Sequence, residues 1–255
     1  MSALRARCPS CRTLTAVALD DGYECHSCGA TYVAGLVRVP RAWGAGGEAM
    51  AEAASIGLPY PEALVVAEDS LDAQSAALAT GIPARPLVVG GCCCAHVGTI
   101  RGLAARHERL AVIWLDAHGD LNTPETSPSG NLWGMPLRMA IDEGSVRAAD
   151  LALVGARDLD PPEAEYVATQ GIDDDVGRAL DGVQAAYVAL DVDVLEPSEM
   201  SVWMPEPAGP SRADVERILS GVAARTNVLG AGFTGLTFEP SNIEPLTGFA
   251  AALGL

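Results

Sequence analysis

The chain alternates short apolar runs with longer stretches of helical character. The apolar runs predict β-strands, and the stretches between them predict α-helices. The runs are GLVRV (35–39), PLVVG (86–90), AVIWL (111–115), LALVG (151–155), AAYVAL (185–190) and VLGAG (228–232). The helical stretches are GTIRGLAARHER (98–109), LWGMPLRMAID (132–142), EAEYVATQ (163–170) and RADVERILSGVAA (212–224). Strands that are apolar throughout are buried on both faces, so the pattern predicts an α/β fold with a parallel sheet flanked by helices.

The first 35 residues depart from this pattern and carry two Cys-x-x-Cys pairs. The pairs are Cys8 with Cys11 and Cys25 with Cys28. Four thiolates complete a tetrahedral zinc site and leave no open position. The segment between the pairs suits a hairpin that turns at Asp21-Gly22. We therefore predict a small zinc ribbon at 1–35, with structural zinc, before an α/β domain at 36–255. A docking or regulatory role for the ribbon is the alternative.

Composition and charge limit the kinds of molecule that this protein is expected to bind. The chain has 255 residues and a formal charge of -17, and all 16 of its basic residues are arginine. Such an acidic protein repels phosphate backbones, which disfavours whole-domain binding to nucleic acid. No apolar run reaches membrane-spanning length and no leader opens the chain, so we expect a cytoplasmic protein with no membrane partner. Seven cysteines without a secretion signal indicate metal or thiol chemistry rather than disulfides.

Acidic residues follow two of the predicted strands. Asp116, His118 and Asp120 come directly after one strand, and Asp191 and Asp193 end another. On extended backbone, residues two apart point to the same side, so each group is expected to project into one crevice at the carboxyl ends of the strands. Carboxylates behind buried strands are unfavourable without a partner charge. Oxygen and imidazole ligands suit a pair of divalent ions such as manganese.

Four motifs resemble those of the arginase/agmatinase (ureohydrolase) family. They are DAHGD (116–120), DVDVLEPS (191–198), the Gly-Gly pair at 90–91 and GAGFTGL (230–236). The resemblance extends from about residue 36 to the end of the chain. It implies an arginase-like sheet and a manganese centre of one or two ions.

The resemblance also implies a role for each acidic residue. Asp116 and Asp191 would bridge two metals, and His118 and Asp193 would complete one site. Asp120 would belong to the other site, where it is also the nearby carboxylate positioned to share protons in catalysis.

The remaining metal ligand in the family is a histidine after the Gly-Gly pair, and Cys93 stands at that position. A thiolate is softer than imidazole and prefers zinc or copper(I) to manganese. Family members that act on N-hydroxylated arginine resemble this chain in having cysteine there. Cys92 and Cys94 are predicted to point away and to pack as small apolar residues. His96 could replace the missing ligand only through a shift of the loop.

Two further segments resemble the parts of arginase that hold an amino acid. In 121–137, Asn122, Ser127 and Ser129 fall on positions that contact the substrate α-carboxylate. In 155–163, Asp160 and Glu163 fall on positions that hold the α-amino group. Hydroxyl and amide donors suit a carboxylate, and carboxylates suit an ammonium group. The resemblance therefore implies a guanidino amino acid as substrate and disfavours agmatine.

The sequence departs from the family at two catalytic positions. The histidine that relays protons in the family is Trp133 here, whose ring could stack on a guanidinium group. The late glutamate that faces the guanidinium has only offset candidates, Glu239 and Glu244. A hydroxyguanidine is less basic and has a better leaving group, so it would depend less on a proton relay.

Together these features predict a metal-dependent amidinohydrolase. It would release ornithine with urea from a guanidino amino acid, or with hydroxyurea from an N-hydroxyguanidino one, and the resemblance implies a homo-oligomer. One alternative is a catalytically degenerate ureohydrolase that serves as a ligand- or partner-binding module. Another is a hydrolase of a different C–N bond, such as an amide or formimidoyl group. A further hypothesis is that the ribbon closes over the mouth of the active site.

Overall fold

Two β-sheets organise the chain. The computed structural model describes residues 4–20 and 22–255. The strands in these ranges are β1 (Arg5–Ala6), β2 (Ala16–Leu19), β3 (Gly22–Cys25), β4 (Thr31–Tyr32), β5 (Gly35–Val39), β6 (Glu62–Val65), β7 (Pro86–Gly90), β8 (Leu110–Leu115), β9 (Leu151–Val154), β10 (Ala185–Asp191) and β11 (Asn227–Thr234). The α-helices are α1 (Gly47–Ala51), α2 (Leu71–Gly81), α3 (Cys94–Ala104), α4 (Pro136–Asp142), α5 (Pro161–Gln170), α6 (Val176–Ala179), α7 (Arg212–Ala223) and α8 (Ile243–Ala252).

The N-terminal segment forms a four-stranded antiparallel sheet in the order β1-β2-β3-β4. Strands β2 and β3 make the expected hairpin, in which Leu19 pairs with Gly22. Gly22 therefore belongs to a strand and not to the turn, and Asp21 lies outside the described residues. Arg7 and Glu62 exchange two backbone hydrogen bonds of 3.0 Å, which join the small sheet to strand β6. The division at residue 35 remains a prediction.

The large sheet has seven strands in the order β6-β5-β7-β11-β10-β8-β9, and every neighbouring pair is parallel. All six predicted strands lie in this sheet, so the predicted fold class is confirmed. Strand β6 was not predicted. It lies at the edge of the sheet, where Val65 is exposed, although residues 63–67 are an apolar run.

Helices cover both faces of the large sheet and make two apolar cores. On one face Leu78 of α2, Ile100 of α3 and Leu137 of α4 are fully buried. On the other face Leu219 of α7 and Phe249 of α8 are fully buried. Burial of each such side chain contributes about 1.5–3 kcal/mol. This double cover explains why the central strands contain almost only apolar residues.

Helix α3 starts immediately after β7, so the three consecutive cysteines lie at the point where strand becomes helix. The predicted helix at 98–109 thus starts earlier, at Cys94, and ends at Ala104. Among the described residues, we find no helix with the length and apolar character that a membrane crossing requires.

Candidate metal centre and substrate pocket

Four adjacent strands of the large sheet end at the same place. The order β7-β11-β10-β8 brings together the residues at their carboxyl ends. Cys93 follows β7, Thr234 ends β11, Asp191 ends β10 and Asp116 follows β8. These residues come from distant parts of the chain, and the strand order alone makes them neighbours.

The backbone beyond these strands is extended only in part. His118 pairs with Asp158 in a parallel bridge, whereas Asp120 has a left-handed backbone with φ of 52° and residues 192–194 form a 3-10 turn. Asp116 and Asp191 each accept a hydrogen bond from the backbone two residues further on. The backbone N–H of His118 donates to Oδ1 of Asp116 at 2.7 Å, and that of Asp193 donates to Oδ1 of Asp191 at 3.0 Å. These hydrogen bonds tie Asp116 and Asp191 to the segments that carry His118 and Asp193.

Asp116, His118 and Asp193 form the first cluster that could hold a cation. One ligand atom from each lies within 4.8 Å of the other two. Nδ1 of His118 lies 3.1 Å from Oδ2 of Asp193 and 3.4 Å from Oδ1 of Asp116. The backbone N–H of Ala117 holds the other oxygen of Asp193 at 3.1 Å. Two carboxylates and one imidazole suit manganese or a similar divalent ion.

Cys93, Asp116 and Asp191 form the second cluster, which shares Asp116 with the first. Sγ of Cys93 lies 2.9 Å from Oδ2 of Asp191 and 3.8 Å from Oδ2 of Asp116. The hydroxyl of Thr234 donates to the same oxygen of Asp191 at 3.1 Å. Trp114 Nε1 donates to Oδ2 of Asp116 at 3.1 Å. A sulfur beside two carboxylates favours a softer ion than the first cluster does.

The electrostatics of both clusters favour a bound positive charge. Burial raises the pKa of Asp191 to about 7 and, together with the charge of Asp116, that of Asp193 to about 6. Burial and then Asp191 raise the pKa of the Cys93 thiol well above its usual range. Burial lowers the pKa of His118, but hydrogen bonds to Asp116 and Asp193 outweigh this effect and raise it to about 12. The field that attracts protons to these groups would equally attract a metal cation.

Asp120 supplies a further test of whether a cation fits. Its side chain is buried, and its Oδ2 has no hydrogen-bond partner among the described residues. Burial and the neighbouring Asp116 raise the pKa of this carboxyl well above its usual value. A buried unpartnered carboxylate oxygen is unfavourable unless it meets a cation or a proton. Asp120 is not a member of either three-residue cluster, although it lines the same pocket.

Gly235 makes room for one of these carboxylates. Its φ is +71°, and a Cβ at this position would lie 1.8 Å from Oδ1 of Asp191. Only glycine combines this backbone conformation with so close an approach. The glycine of the GAGFTGL motif thus positions a candidate ligand rather than simply ending a strand.

The clusters line a pocket of about 160 Å³. All six residues predicted to bind substrate also line it: Asn122, Ser127, Ser129, Trp133, Asp160 and Glu163. Oγ of Ser127 accepts a hydrogen bond from the N–H of Gly130 at 3.0 Å, and Oγ of Ser129 accepts one from the N–H of Asn131 at 3.2 Å. The two hydroxyl hydrogens can therefore turn towards an anionic group in the pocket.

Three acidic residues line the pocket together with these serines. Oδ2 of Asp160 accepts a hydrogen bond from Asn122 at 2.8 Å. Glu163 is buried, and its two oxygens accept from the backbone N–H groups of Leu121 and Asp160 at 2.8 and 2.9 Å. Asp158 also lines the pocket, and its carboxylate lies 3.9 Å from Nε2 of His118. Sequence reasoning missed Asp158, although it lies within the same acidic segment as Asp160.

The structure does not bring Glu239 to the pocket. Glu239 is exposed at the start of a 3-10 turn, Pro240–Asn242, and Glu244 is an exposed partner of Arg212. The reason is that the chain turns at Gly235 and pairs Leu236 with Val202, which leaves the following residues at the surface. Glu239 therefore does not line the pocket, and the catalytic role predicted for it stays a prediction that this position does not support. Among the described residues, no acidic side chain of 236–244 lines the pocket.

Trp133 lies at the pocket wall and packs closely on Gly44, where a Cβ would lie 2.3 Å from the ring. Met50, Cys92 and Met204 complete an apolar side of the pocket. Every residue that lines it falls between Met50 and Met204. Among the described residues, none of the ribbon lines the pocket. The hypothesis that the ribbon closes over the mouth stays a prediction.

The remaining residues near the Gly-Gly motif are buried. Cys92 and Cys94 pack with Met50 in an apolar cluster, although Cys92 also reaches the pocket wall. His96 lies behind Cys93, does not line the pocket, and contacts Tyr187 and Thr234. Burial lowers the pKa of His96 to about 3, so its ring is neutral.

The ribbon cysteines make a separate cluster. Ligand atoms of Cys8, Cys11, Cys25 and Cys28 all lie within 4.8 Å of one another. The closest sulfur pairs are Cys8 with Cys28 at 3.7 Å and Cys11 with Cys25 at 3.5 Å. Such spacing fits four sulfurs around one tetrahedral ion. The hydroxyl of Thr15, 3.3 Å from Sγ of Cys25, lowers the pKa of that thiol to about 5.

Comparisons with known proteins agree on one family. A sequence model described as the arginase family matches residues 49–240. An arginase from Bacillus caldovelox is 34% identical over 143 residues, which are 45% of this chain and 48% of that protein. The alignment thus spans about half the length of this curated relative.

Solved structures extend the likeness of fold to most of the chain. The arginase of Bacillus subtilis superposes with a TM-score of 0.72 at 23% identity, over 87% of this chain and 98% of that one. The formimidoylglutamase of Bacillus subtilis superposes with a TM-score of 0.69 at 17% identity, over 87% of each chain. At such low identity these two likenesses describe the fold alone.

Proposed function

Because the chain belongs to the arginase family, we propose that it is a metal-dependent amidinohydrolase. Its substrate would be an amino acid that carries a guanidino or N-hydroxyguanidino group. The products would be ornithine and urea or hydroxyurea. The observation that carries this proposal is the pair of ligand clusters that share Asp116 beneath a wall of serine hydroxyls and carboxylates.

The donor groups fit a two-ion centre. Asp116, His118 and Asp193 would hold one ion, preferably manganese. Cys93 and Asp191, together with Asp116 and Asp120, would hold a second, for which zinc or another softer ion competes with manganese. When bound, such cations lower the pKa of water and supply a nucleophile at neutral pH. The unpartnered Oδ2 of Asp120 and the raised pKa values of the carboxylates support this assignment.

The pocket walls would orient the substrate through its α-carbon. Ser127, Ser129 and Asn122 would donate hydrogen bonds to the α-carboxylate. Asp160 would bind the α-ammonium group, and Glu163 would hold Asp160 in place through its backbone N–H. Trp133 would pack against the side chain that carries the scissile group. Holding both charged groups of the α-carbon in this way would direct the distal carbon of the side chain towards the clusters.

Proton transfer would fall to Asp120, since Trp133 cannot exchange a proton at neutral pH. One oxygen of the Asp120 carboxylate would hold the ion, and the other would accept a proton from the reacting water or pass one to the departing amine. A leaving group that is a weak base needs less help of this kind. The proposal therefore favours N-hydroxyarginine over arginine.

Turnover tests the proposal directly. The purified chain is loaded with manganese, its metal content is measured, and ornithine release is followed from arginine and from N-hydroxyarginine. We expect release, faster from the hydroxylated substrate, and loss of release in Asp191→Asn. Bound metal without turnover of either substrate would contradict the proposal and favour the degenerate ligand-binding module.

One observation favours a second candidate, the hydrolysis of an amide C–N bond. Among the described residues, the pocket has no carboxylate from 236–244 to face a guanidinium cation. A neutral amide would not need one, whereas a formimidoyl group is itself a cationic amidine. Release of ornithine from N-acyl ornithine, but not from either guanidino compound, would decide for this candidate.

Two further assignments accompany the main one. We propose that the four ribbon cysteines hold a structural zinc ion and that the chain forms a homo-oligomer. The sulfur distances support the zinc site. Elemental analysis and light scattering test these assignments independently of catalysis.

A further inference from the structure

His96 is a buried titratable group that the proposed reaction does not use. Its ring is fully buried and lies edge-on to Trp114, with centroids 5.1 Å apart. Nδ1 lies 2.9 Å from Oη of Tyr187, and Nε2 lies 3.4 Å from Oγ1 of Thr234. Thr234 in turn touches two candidate metal ligands, Asp191 at 3.1 Å and Cys93 at 3.0 Å.

Strand β11 is shaped to admit this imidazole. A Cβ at Gly232 would lie 2.4 Å from Oη of Tyr187 and 2.6 Å from Cε1 of His96. Glycine at this position leaves the space in which the ring and the phenol meet. The contact between His96 and Tyr187 is thus accommodated by the strand that also carries Thr234.

The donor inventory fixes the direction of the hydrogen bonds. Thr234 has one proton, and the carboxylate of Asp191 is a stronger acceptor than a neutral imidazole. When Thr234 donates this proton to the carboxylate of Asp191, its oxygen can only accept a hydrogen bond from His96. Nε2 of His96 therefore carries the ring proton. Nδ1 must then accept from Tyr187. The chain of donors runs Tyr187 to His96 to Thr234 to Asp191.

We propose that His96 is a positioning residue which locks the hydroxyl of Thr234 onto Asp191 and so leaves the sulfur of Cys93 free to bind the cation. Without His96 the hydroxyl can rotate and donate to the thiolate instead. A hydrogen bond to a thiolate weakens its donation to a metal, and Asp191 loses its orienting partner. This inference rests on the proposed metal centre and not on the identity of the substrate.

Cobalt(II) provides a readout that does not depend on turnover. A thiolate bound to cobalt gives a near-ultraviolet charge-transfer band, and the Cys93→Ser variant supplies the baseline that removes any contribution from the ribbon. The full chain, with its ribbon zinc retained, is titrated with cobalt. Thr234→Val and His96→Leu are compared with Thr234→Ser and His96→Gln, which keep a hydroxyl and an N–H donor.

We expect Thr234→Val and His96→Leu to weaken cobalt binding by about 10- to 100-fold, the usual effect of losing an outer partner of a metal ligand. The band assigned to Cys93 should shift or lose intensity in both. Thr234→Ser and His96→Gln should restore both properties. Thr234→Val keeps the volume of the side chain, so it serves if His96→Leu does not fold.

Two results would overturn the inference: an unchanged affinity and band in Thr234→Val, or a loss that Thr234→Ser does not restore. The first would mean that the hydroxyl does not position the ligands, and the second that only packing matters at this position. Failure of the proposed reaction would be seen separately, as normal cobalt binding and normal variant effects without ornithine release.

Discussion

Cys25 of the ribbon and Cys93 of the pocket place the same side chain in opposite electrostatic surroundings. In the ribbon, Cys25 lies beside the hydroxyl of Thr15, and Cys8 lies 3.3 Å from Oη of Tyr32. In the pocket, Cys93 lies against the carboxylate of Asp191. Hydroxyl donors stabilise a thiolate, whereas carboxylates destabilise it. The pKa of the Cys25 thiol is therefore lowered to about 5, and that of Cys93 is raised well above its usual range.

This difference separates two kinds of metal chemistry. Four ribbon sulfurs around one ion would leave no position for a substrate, as a structural site requires. The sulfur of Cys93 is one donor among oxygens at the wall of an open pocket. Cys92 and Cys94, on either side of it, pack in an apolar cluster. Neighbouring groups, and not the cysteine itself, decide which chemistry is available.

Among the changes that test the comparison between the ribbon cysteines and Cys93, removal of one ribbon thiol should have the largest effect on bound metal. In a Cys93→Ser background, Cys25→Ser should reduce zinc from one ion per chain towards none. A structural zinc site supplies roughly 10–16 kcal/mol of binding free energy, and a missing thiolate removes a large share of it. Elemental analysis measures the zinc. Cys94→Ser in the same background is the control and should keep its zinc; equal losses in both variants would refute the assignment.

Gly235→Ala should damage the pocket while it spares the ribbon. The new Cβ would meet the carboxylate of Asp191 and would also adopt an unfavourable φ. We expect a strain of about 1–3 kcal/mol and a metal affinity in the pocket lowered about 10- to 100-fold.

Gly171→Ala is the matched control, because Gly171 has a φ of +65° with no atom near its missing Cβ. This variant should lose stability but keep its affinity for manganese. Manganese titration separates the two effects, and equal manganese affinity in both variants would show that the approach to Asp191 is unimportant.

The buried histidine behind the pocket should make stability depend on pH. The pKa of His96 is lowered to about 3 by burial, against about 6.5 in an unfolded chain. Below pH 6.5 the unfolded chain takes up a proton that the folded chain refuses until about pH 3, so this contribution to stability is lost as the pH falls between these values.

The expected loss approaches about 1.4 kcal/mol for each pH unit below 6.5. The raised pKa values of the Asp191 and Asp193 carboxyls have the opposite effect and increase stability as the pH falls. We therefore compare the unmodified protein with His96→Gln, because both proteins contain these carboxyls. Urea unfolding between pH 7 and pH 5 measures the difference. Parallel pH profiles for the two proteins would mean that His96 takes up its proton as readily in the folded chain as in the unfolded one.

Cys93→His should have the smallest effect. It removes the sulfur from the second cluster and so tests whether that sulfur sets the metal preference of the pocket. Imidazole is a harder donor than thiolate, so the preference of the second cluster should move from zinc towards manganese. We expect a change of about ten-fold in relative affinity, comparable to changes seen when a metal environment is retuned. Competitive titration with the two ions measures it, and Cys92→His provides a control that should leave the preference unchanged.

Much of the fold could be predicted because its signals are local. Most buried strands are unbroken apolar runs, and each metal motif lies within a few residues of a strand end. Edge strand β6 was missed although residues 63–67 are also an apolar run, because no helical stretch was recognised on either side of it. The position of Glu239 at the surface depends on the distant pairing of Leu236 with Val202. His96 was considered only as a replacement ligand, since nothing near it in sequence indicates Tyr187 and Thr234.

The sequence by itself determined the types of donor atom, their attachment to strand ends, and the parallel α/β architecture. Only the tertiary structure decided that β7, β11, β10 and β8 are neighbours, and hence that Cys93, Thr234, Asp191 and Asp116 meet. The order of strands in a sheet depends on how helices and strands from the whole chain pack, which no local pattern records. For this reason the sequence shows which residue types could bind a metal. Which of them lie together, and which residues hold them in place, depends on the folded protein.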